Sequence, residues 1–150
     1  MLVASDDGSL HHVALSYSSE DSFFFLETKA GSQEHEDIIT GLDITHDGSK
    51  VITSSYDRTV VVLDVNTLRL EERLSDIHND IISNVASNRK NSNIIATSAN
   101  DGIAASWDLR TPEKIIASKF NLYSYKSAKC GLLNRATRDD IAGAIREHVS

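Results

Sequence analysis

The sequence holds one cysteine, Cys130. A lone thiol excludes a disulfide framework within one chain, and cysteine-based zinc fingers with it. With no base near it in sequence, Cys130 reads as a small apolar residue rather than a nucleophile. No apolar run approaches the ~18 residues of a membrane span, and residues 1–20 lack a signal-peptide layout, so no membrane partner is expected. Positive charge is in deficit: 15 Lys and Arg against 22 Asp and Glu leave −7 at pH 7. That balance argues against direct nucleic-acid binding and favours basic partners. Catalytic signatures are missing as well: there is no G-x-S-x-G elbow, no H-E-x-x-H helix and no G-x-x-x-x-G-K-[ST] phosphate loop. Ser, His and Asp are abundant, yet no residue stands out to carry catalysis, and neither a cofactor nor a metal is expected. What remains is an ordinary globular composition over 150 residues, 40% hydrophobic and 25% charged, enough for one domain with a real core. The expectation is a soluble protein of the cytoplasm and nucleus.

Internal similarity organises the chain. Residues 51–65, VITSSYDRTVVVLDV, align without gaps on 95–109, IATSANDGIAASWDL, and on 1–15, MLVASDDGSLHHVAL. The alignment sets Asp7, Asp57 and Asp101 in one column and Val13, Leu63 and Trp107 in another. Each copy is a β-rich run, a tight polar turn and a second β-rich run, which is hairpin grammar. The flanks repeat too: His35 opens HEDIITGLDITHDGSK and His78 opens HNDIISNVASNRKNSN. Each His leads into an alternating strand, 38–44 and 81–87, and FFFLETK (23–29), LRLEERLS (68–75) and EKIIASKF (113–120) read as outer strands. Four strands per ~40–45 residues is the unit of a propeller blade.

With these residues in hand, the sequence resembles WD40 repeat proteins over about residues 1–120. The fold expected is all-β: a partial propeller of about 2.5 blades of four antiparallel strands, split as 1–34 (partial), 35–77 and 78–120. The resemblance implies a structural His–Ser/Thr–Asp–Trp network in each blade. It falls on His78, Thr97, Asp101 and Trp107 in the last unit, and on His35, Thr53 and Asp57 in the middle one, where Leu63 replaces the Trp. The repeat argues against a catalytic or metal role for these histidines, because function rarely repeats one tetrad in successive units. His11 and His12, adjacent on a strand, point to opposite faces and cannot share a ligand.

Residues 121–150 break the blade pattern. TRDDIAGAIREHV reads as a helix over 138–149, capped by Thr137, with Asp139 and Asp140 in its first turn. Since a closed ring needs at least four blades, the expectation is a piece of a longer propeller.

Charge divides between the two ends of the inferred blades. The His loops and Asp turns gather Asp6, Asp7, Glu34, Glu36, Asp37 and Asp80, with Arg58 the main exception; the opposite loops gather Lys50, Arg69, Arg89, Lys90, Arg110 and Lys114, with Asp47 and Glu113 against them. An acidic end suits Arg- and Lys-rich tails, with Glu36, Asp37 and Asp80 central. Within the family, LVASDDGSL, EHEDII and SANDGIAASWDLRTP look like pieces of the WD-repeat subunits of methylosomes. That resemblance implies a non-catalytic scaffold that holds a protein arginine methyltransferase and presents histones or Sm proteins. A rival expectation comes from Trp107-Asp108-Leu109-Arg110, similar to the Trp-Asp-x-Arg ending of cullin-type ubiquitin-ligase receptors, where Arg110 would reach the ligase adaptor.

Overall fold

The computed structural model describes residues 1–19, 22–76 and 78–111, and the backbone of 115–121. Among the described residues there are eleven strands in three antiparallel sheets. The first sheet is β1 (Leu2–Ala4), β2 (Ser9–Ser18) and β3 (Phe23–Gln33), in that order. The second is β4 (Ile39–Ile44), β5 (Lys50–Ser55), β6 (Val60–Asp64) and β7 (Leu70–Leu74). The third is β8 (Ile82–Ser87), β9 (Ile94–Ala99), β10 (Ile103–Asp108) and β11 (Ile115–Asn121). Every pairing joins strands consecutive in the chain, so each sheet is a meander. No helix occurs among the described residues, and the helix expected over 138–149 lies outside them.

The middle sheet is buried on both faces, and its sequence shows why. Ile52, Val60 and Val62 face the third sheet, packing with Leu74, Ile82, Val85, Ile95, Ala99, Ala105 and Trp107. Their immediate neighbours Val51, Val61 and Leu63 face the first sheet, packing with Leu10 and Leu68. Side chains alternate across a strand, so a strand covered on both faces must be apolar throughout, as VVVL of β6 is.

Polar contacts lock the second and third sheets in register. One extra residue sits in β4 between Ile39 and Gly41, and one in β8 between Ile82 and Asn84. The first of these bulges turns Thr40 outward, and its Oγ1 donates to the Ile82 carbonyl at 2.5 Å. Asp43 Oδ2 accepts from Ser87 N at 2.8 Å and Ser87 Oγ at 3.0 Å, and Asp47 N donates to Ser92 Oγ at 3.0 Å. Gly41 permits this approach: a Cβ there would lie 3.0 Å from Val85 N and 2.8 Å from Ser54 Oγ.

The first sheet departs from its neighbours. The β2–β3 hairpin pairs Ser9 with Gln33 and runs on to Ser18 with Phe23, well past the length of β6 and β7. Its far half is apolar and exposed on both faces: Leu15, Tyr17, Phe24 and Leu26 lie on one, Phe23 and Phe25 on the other. Ring pairs Tyr17–Phe24 (centroids 5.0 Å) and Phe23–Phe25 (6.1 Å) stiffen it. The outer strand expected over 23–29 is therefore a longer one, ending at Gln33, because β2 continues beyond the blade and carries its partner along.

Candidate functional site

At one end of the sheets, the loops before β4 and β8 meet the hairpin turns after β5 and β9. His35 Nδ1 lies 2.8 Å from Asp57 Oδ2, and its Nε2 lies 2.9 Å from Thr53 Oγ1. In the third sheet His78 Nδ1 lies 3.3 Å from Asp101 Oδ2 and Nε2 lies 2.7 Å from Thr97 Oγ1, which also accepts from Trp107 Nε1 at 3.0 Å. The two imidazole side chains are 1% exposed, which puts them out of reach of a substrate. Burial lowers the His35 pKa below its usual 6.5, against the pull of Asp57, so the ring is neutral at pH 7. A neutral ring with a carboxylate at Nδ1 carries its proton there and accepts the Thr53 hydroxyl at Nε2. Burial pushes the Asp57 carboxyl up, but hydrogen bonds from Thr59, His35 and Glu36 N outweigh it and hold the group below its usual range.

These networks brace the loops that carry the charged candidates. Asp57 Oδ2 accepts from Glu36 N at 3.1 Å and Asp101 Oδ2 from Asn79 N at 2.9 Å. Ser55 Oγ donates to the Asp37 carbonyl at 2.9 Å, and Tyr56 N to the Ile38 carbonyl at 3.0 Å. Glu36, Asp37 and Asp80 sit on these loops, all exposed. Asp37 and Asp80 each use one oxygen to accept the next backbone N–H, at 2.7 Å. Two acids of this end are committed elsewhere. Asp7 Oδ1 accepts from Ser9 N and Ser9 Oγ, and Glu34 is held by Arg73, whose Nη2 donates to the Glu34 carbonyl. Arg73 adds a positive charge at this end that the sequence did not reveal.

In the first sheet the counterpart of Asp57 and Asp101 is Asp7. There Ser9 Oγ bridges Asp7 Oδ1 (2.6 Å) and His11 Nε2 (3.0 Å). This Ser–His–Asp grouping runs in the wrong order for nucleophilic catalysis: the hydroxyl gives its proton to the carboxylate, and Ser9 is buried. Asp7 in the turn and His11 on β2 lie two residues either side of Ser9, and charge pattern and repeat do not signal their contact.

At the opposite end Arg110 turns back on its own turn. Its Nε and Nη2 donate to Asp108 Oδ1 and Oδ2 at 2.9 and 2.6 Å, and this fork holds the Asp108 pKa down at about 2. Lys50 is paired with Glu71, while Arg69, Arg89 and Lys90 are exposed. Among the described residues no group of His, Cys, Asp or Glu could hold a metal ion.

No protein-family model matches the chain. It is 31% identical over 85 residues to the WD repeat-containing protein 55 homolog of Drosophila ananassae, covering 57% of this chain and 17% of that protein. It is 31% identical over 78 residues to the ribosome biogenesis protein YTM1 of Laccaria bicolor, covering 50% and 17%. The likeness is to the WD-repeat family. Among solved structures, a propeller chain in the crystal structure of a mitotic checkpoint complex superposes with a TM-score of 0.58 at 21% identity, over 72% of this chain and 31% of that one. That similarity is one of fold. The chain spans about a sixth of the length of the WD-repeat relatives it matches.

Proposed function

We propose that the chain is the protein-docking part of a non-catalytic WD-repeat scaffold, and that the Asp-turn end receives Lys- and Arg-rich protein segments. The observation that carries this is the set Glu36, Asp37 and Asp80: exposed carboxylates on loops whose backbones are tied to buried Asp57 and Asp101. A braced acidic surface loses little entropy on binding, and it forms charge-assisted hydrogen bonds to guanidinium groups. On this reading residues 1–34, 35–77 and 78–120 are successive blades, and the tetrads stiffen the docking end without touching the ligand. The setting belongs to the cytoplasm and nucleus. The similarity to a ribosome biogenesis protein makes basic components of ribosome assembly the first partners to test.

The arginine methyltransferase partnership, with histones or Sm proteins as cargo, rests on short strings, and the relatives named above lend it no support. Nor do the relatives named above favour the ubiquitin-ligase adaptor; the Arg110 guanidinium forks onto Asp108 through two of its five N–H donors, and its side chain is 59% exposed.

The test is a titration with a fluorescent Gly-Arg repeat peptide and its citrulline counterpart. Micromolar binding to the arginine form is expected, weakening steeply with salt. Reversing Glu36, Asp37 or Asp80 to Lys should cost tenfold or more, whereas Glu71→Lys at the opposite end should cost little. Equal binding of the citrulline peptide, or indifference to all three reversals, would sink the reading.

A further inference from the structure

The turn after β5 differs from its two counterparts. All three turns need one residue in the left-handed region: Gly8 (φ 83°), Arg58 (φ 68°) and Gly102 (φ 76°). The outer turns use glycine, which adopts that conformation without cost, while the middle one uses arginine, whose Cβ opposes it. Two positions earlier the outer turns carry Asp6 and Asn100, and the middle one carries Tyr56, 42% exposed. The strained position is thus paired with the one aromatic ring of the three turns. Arg58 is exposed, and among the described residues neither it nor Glu36 forms an ion pair.

Nothing inside the fold accounts for an arginine here. Arg58 N donates to the Ser55 carbonyl at 3.3 Å, a bond any residue would make. The turn itself is held by Asp57, whose Oδ1 accepts from Thr59 N at 2.8 Å and Thr59 Oγ1 at 2.7 Å. Ser22, Leu68 and Asp76 also have positive φ, but Arg58 is the one set in a turn braced by a buried His–Asp pair, and exposed Tyr and Arg are the residues that most often dominate protein interfaces.

We infer that Tyr56 and Arg58 form an oxyanion subsite within the acidic end, so that the segment docked there carries a carboxylate or phosphate among its basic residues. The inference rests on the reading of this end as the docking end. Glu36 and Asp37 repel an isolated anion, so the subsite takes one only when neighbouring cations of the same segment engage those carboxylates. Arg58 then grips the oxyanion with two N–H groups, and the hydroxyl of Tyr56, two residues away on the same turn, is a further donor available to it. The subsite would discriminate among basic segments, which the acidic loops alone bind without distinction.

The experiment uses the full chain and three Gly-Arg peptides that differ in a central residue: serine, aspartate or phosphoserine. The wild type should bind one or both acidic-centre peptides about fivefold tighter than the serine peptide, and the two arms tell carboxylate from phosphate. Arg58→Gly should abolish that gain while raising the melting temperature by roughly 2–4 °C, since it relieves the turn. Arg58→Lys should keep only part of the gain, because it loses the fork. An acidic centre that weakens binding, or a gain that survives Arg58→Gly, overturns the subsite and leaves the basic-segment reading in place. Binding of the acidic-centre peptides alone, dependent on Arg58, supports the subsite and shows that the basic residues do not suffice without an oxyanion beside them. If none of the three binds, both fall.

Discussion

In the third sheet Thr97 Oγ1 stands between the His78 ring at 2.7 Å and the Trp107 indole at 3.0 Å, while His78 keeps a longer 3.3 Å contact to Asp101. In the second sheet Thr53 meets His35 at 2.9 Å and finds Leu63 where the indole would be. There the other end is the tighter one: His35 lies 2.8 Å from Asp57, and Thr59 Oγ1 adds contacts to Asp57 at 2.7 Å and to His35 at 3.2 Å. One polar spine is therefore anchored at its indole end in one sheet and at its carboxylate end in the next. The lesson is that satisfaction of each buried group, not a fixed residue list, is what the repeat preserves.

Removing the indole should have the largest effect. Trp107 is 3% exposed within the core, so Trp107→Ala should cost about 3–5 kcal/mol in urea unfolding followed by far-ultraviolet circular dichroism. Trp107→Leu, which copies the second sheet, should cost clearly less because it refills part of the volume. Equal losses would mean that volume is not what the indole contributes.

Next come the threonines. Thr97→Val strands two partners and should cost about 2–3 kcal/mol, whereas Thr53→Val strands only His35 and should cost about 1–2 kcal/mol. If the two match, the indole bond adds nothing and the comparison fails.

Acid should then expose the carboxylate-anchored spine. Burial holds the His35 pKa below 6.5 in the folded chain, so the unfolded chain binds this proton first. The resulting stability is complete above about pH 6.5 and drains as pH falls toward the folded pKa. Asp57, also lowered, contributes stability above its usual 3.8 that is lost as pH falls through the folded value. Urea midpoints between pH 8 and pH 3 should show both declines, and the upper one should vanish in His35→Gln. Persistence of the upper slope in that variant would assign it to another group. The smallest effect belongs to the turns: Gly102→Arg, which copies the middle turn, should cost about 1 kcal/mol by the same urea assay. A neutral result would remove the strain argument for Arg58.

Much of the fold was legible because local chemistry and repeat agreed. Runs such as VITSS and VVVLD are β-branched, the turns between them are Asp-centred, three aligned copies share the turn Asp, two flanking repeats share the His, and the family resemblance implied the Thr and Trp positions. Residue types failed where a neighbour decides the outcome. FFFLETK reads as an ordinary outer strand, and only its pairing with an overlong β2 leaves its phenylalanines in water. Arg73 sits in a run that looks like a plain outer strand, yet it reaches back 39 residues to Glu34. Nor did residue type show that the Arg110 guanidinium forks back onto Asp108 while its side chain stays 59% exposed.

By itself, then, the sequence determined the strands, the turns and the repeated polar spine, because β-propensity, turn geometry and hydrogen-bond satisfaction act within a few residues or recur at a fixed spacing. Only the tertiary structure decided which acids remain free, which cations neutralise them and which apolar side chains stay uncovered. Those outcomes depend on distances between segments far apart in the chain, and residue type does not encode them one position at a time.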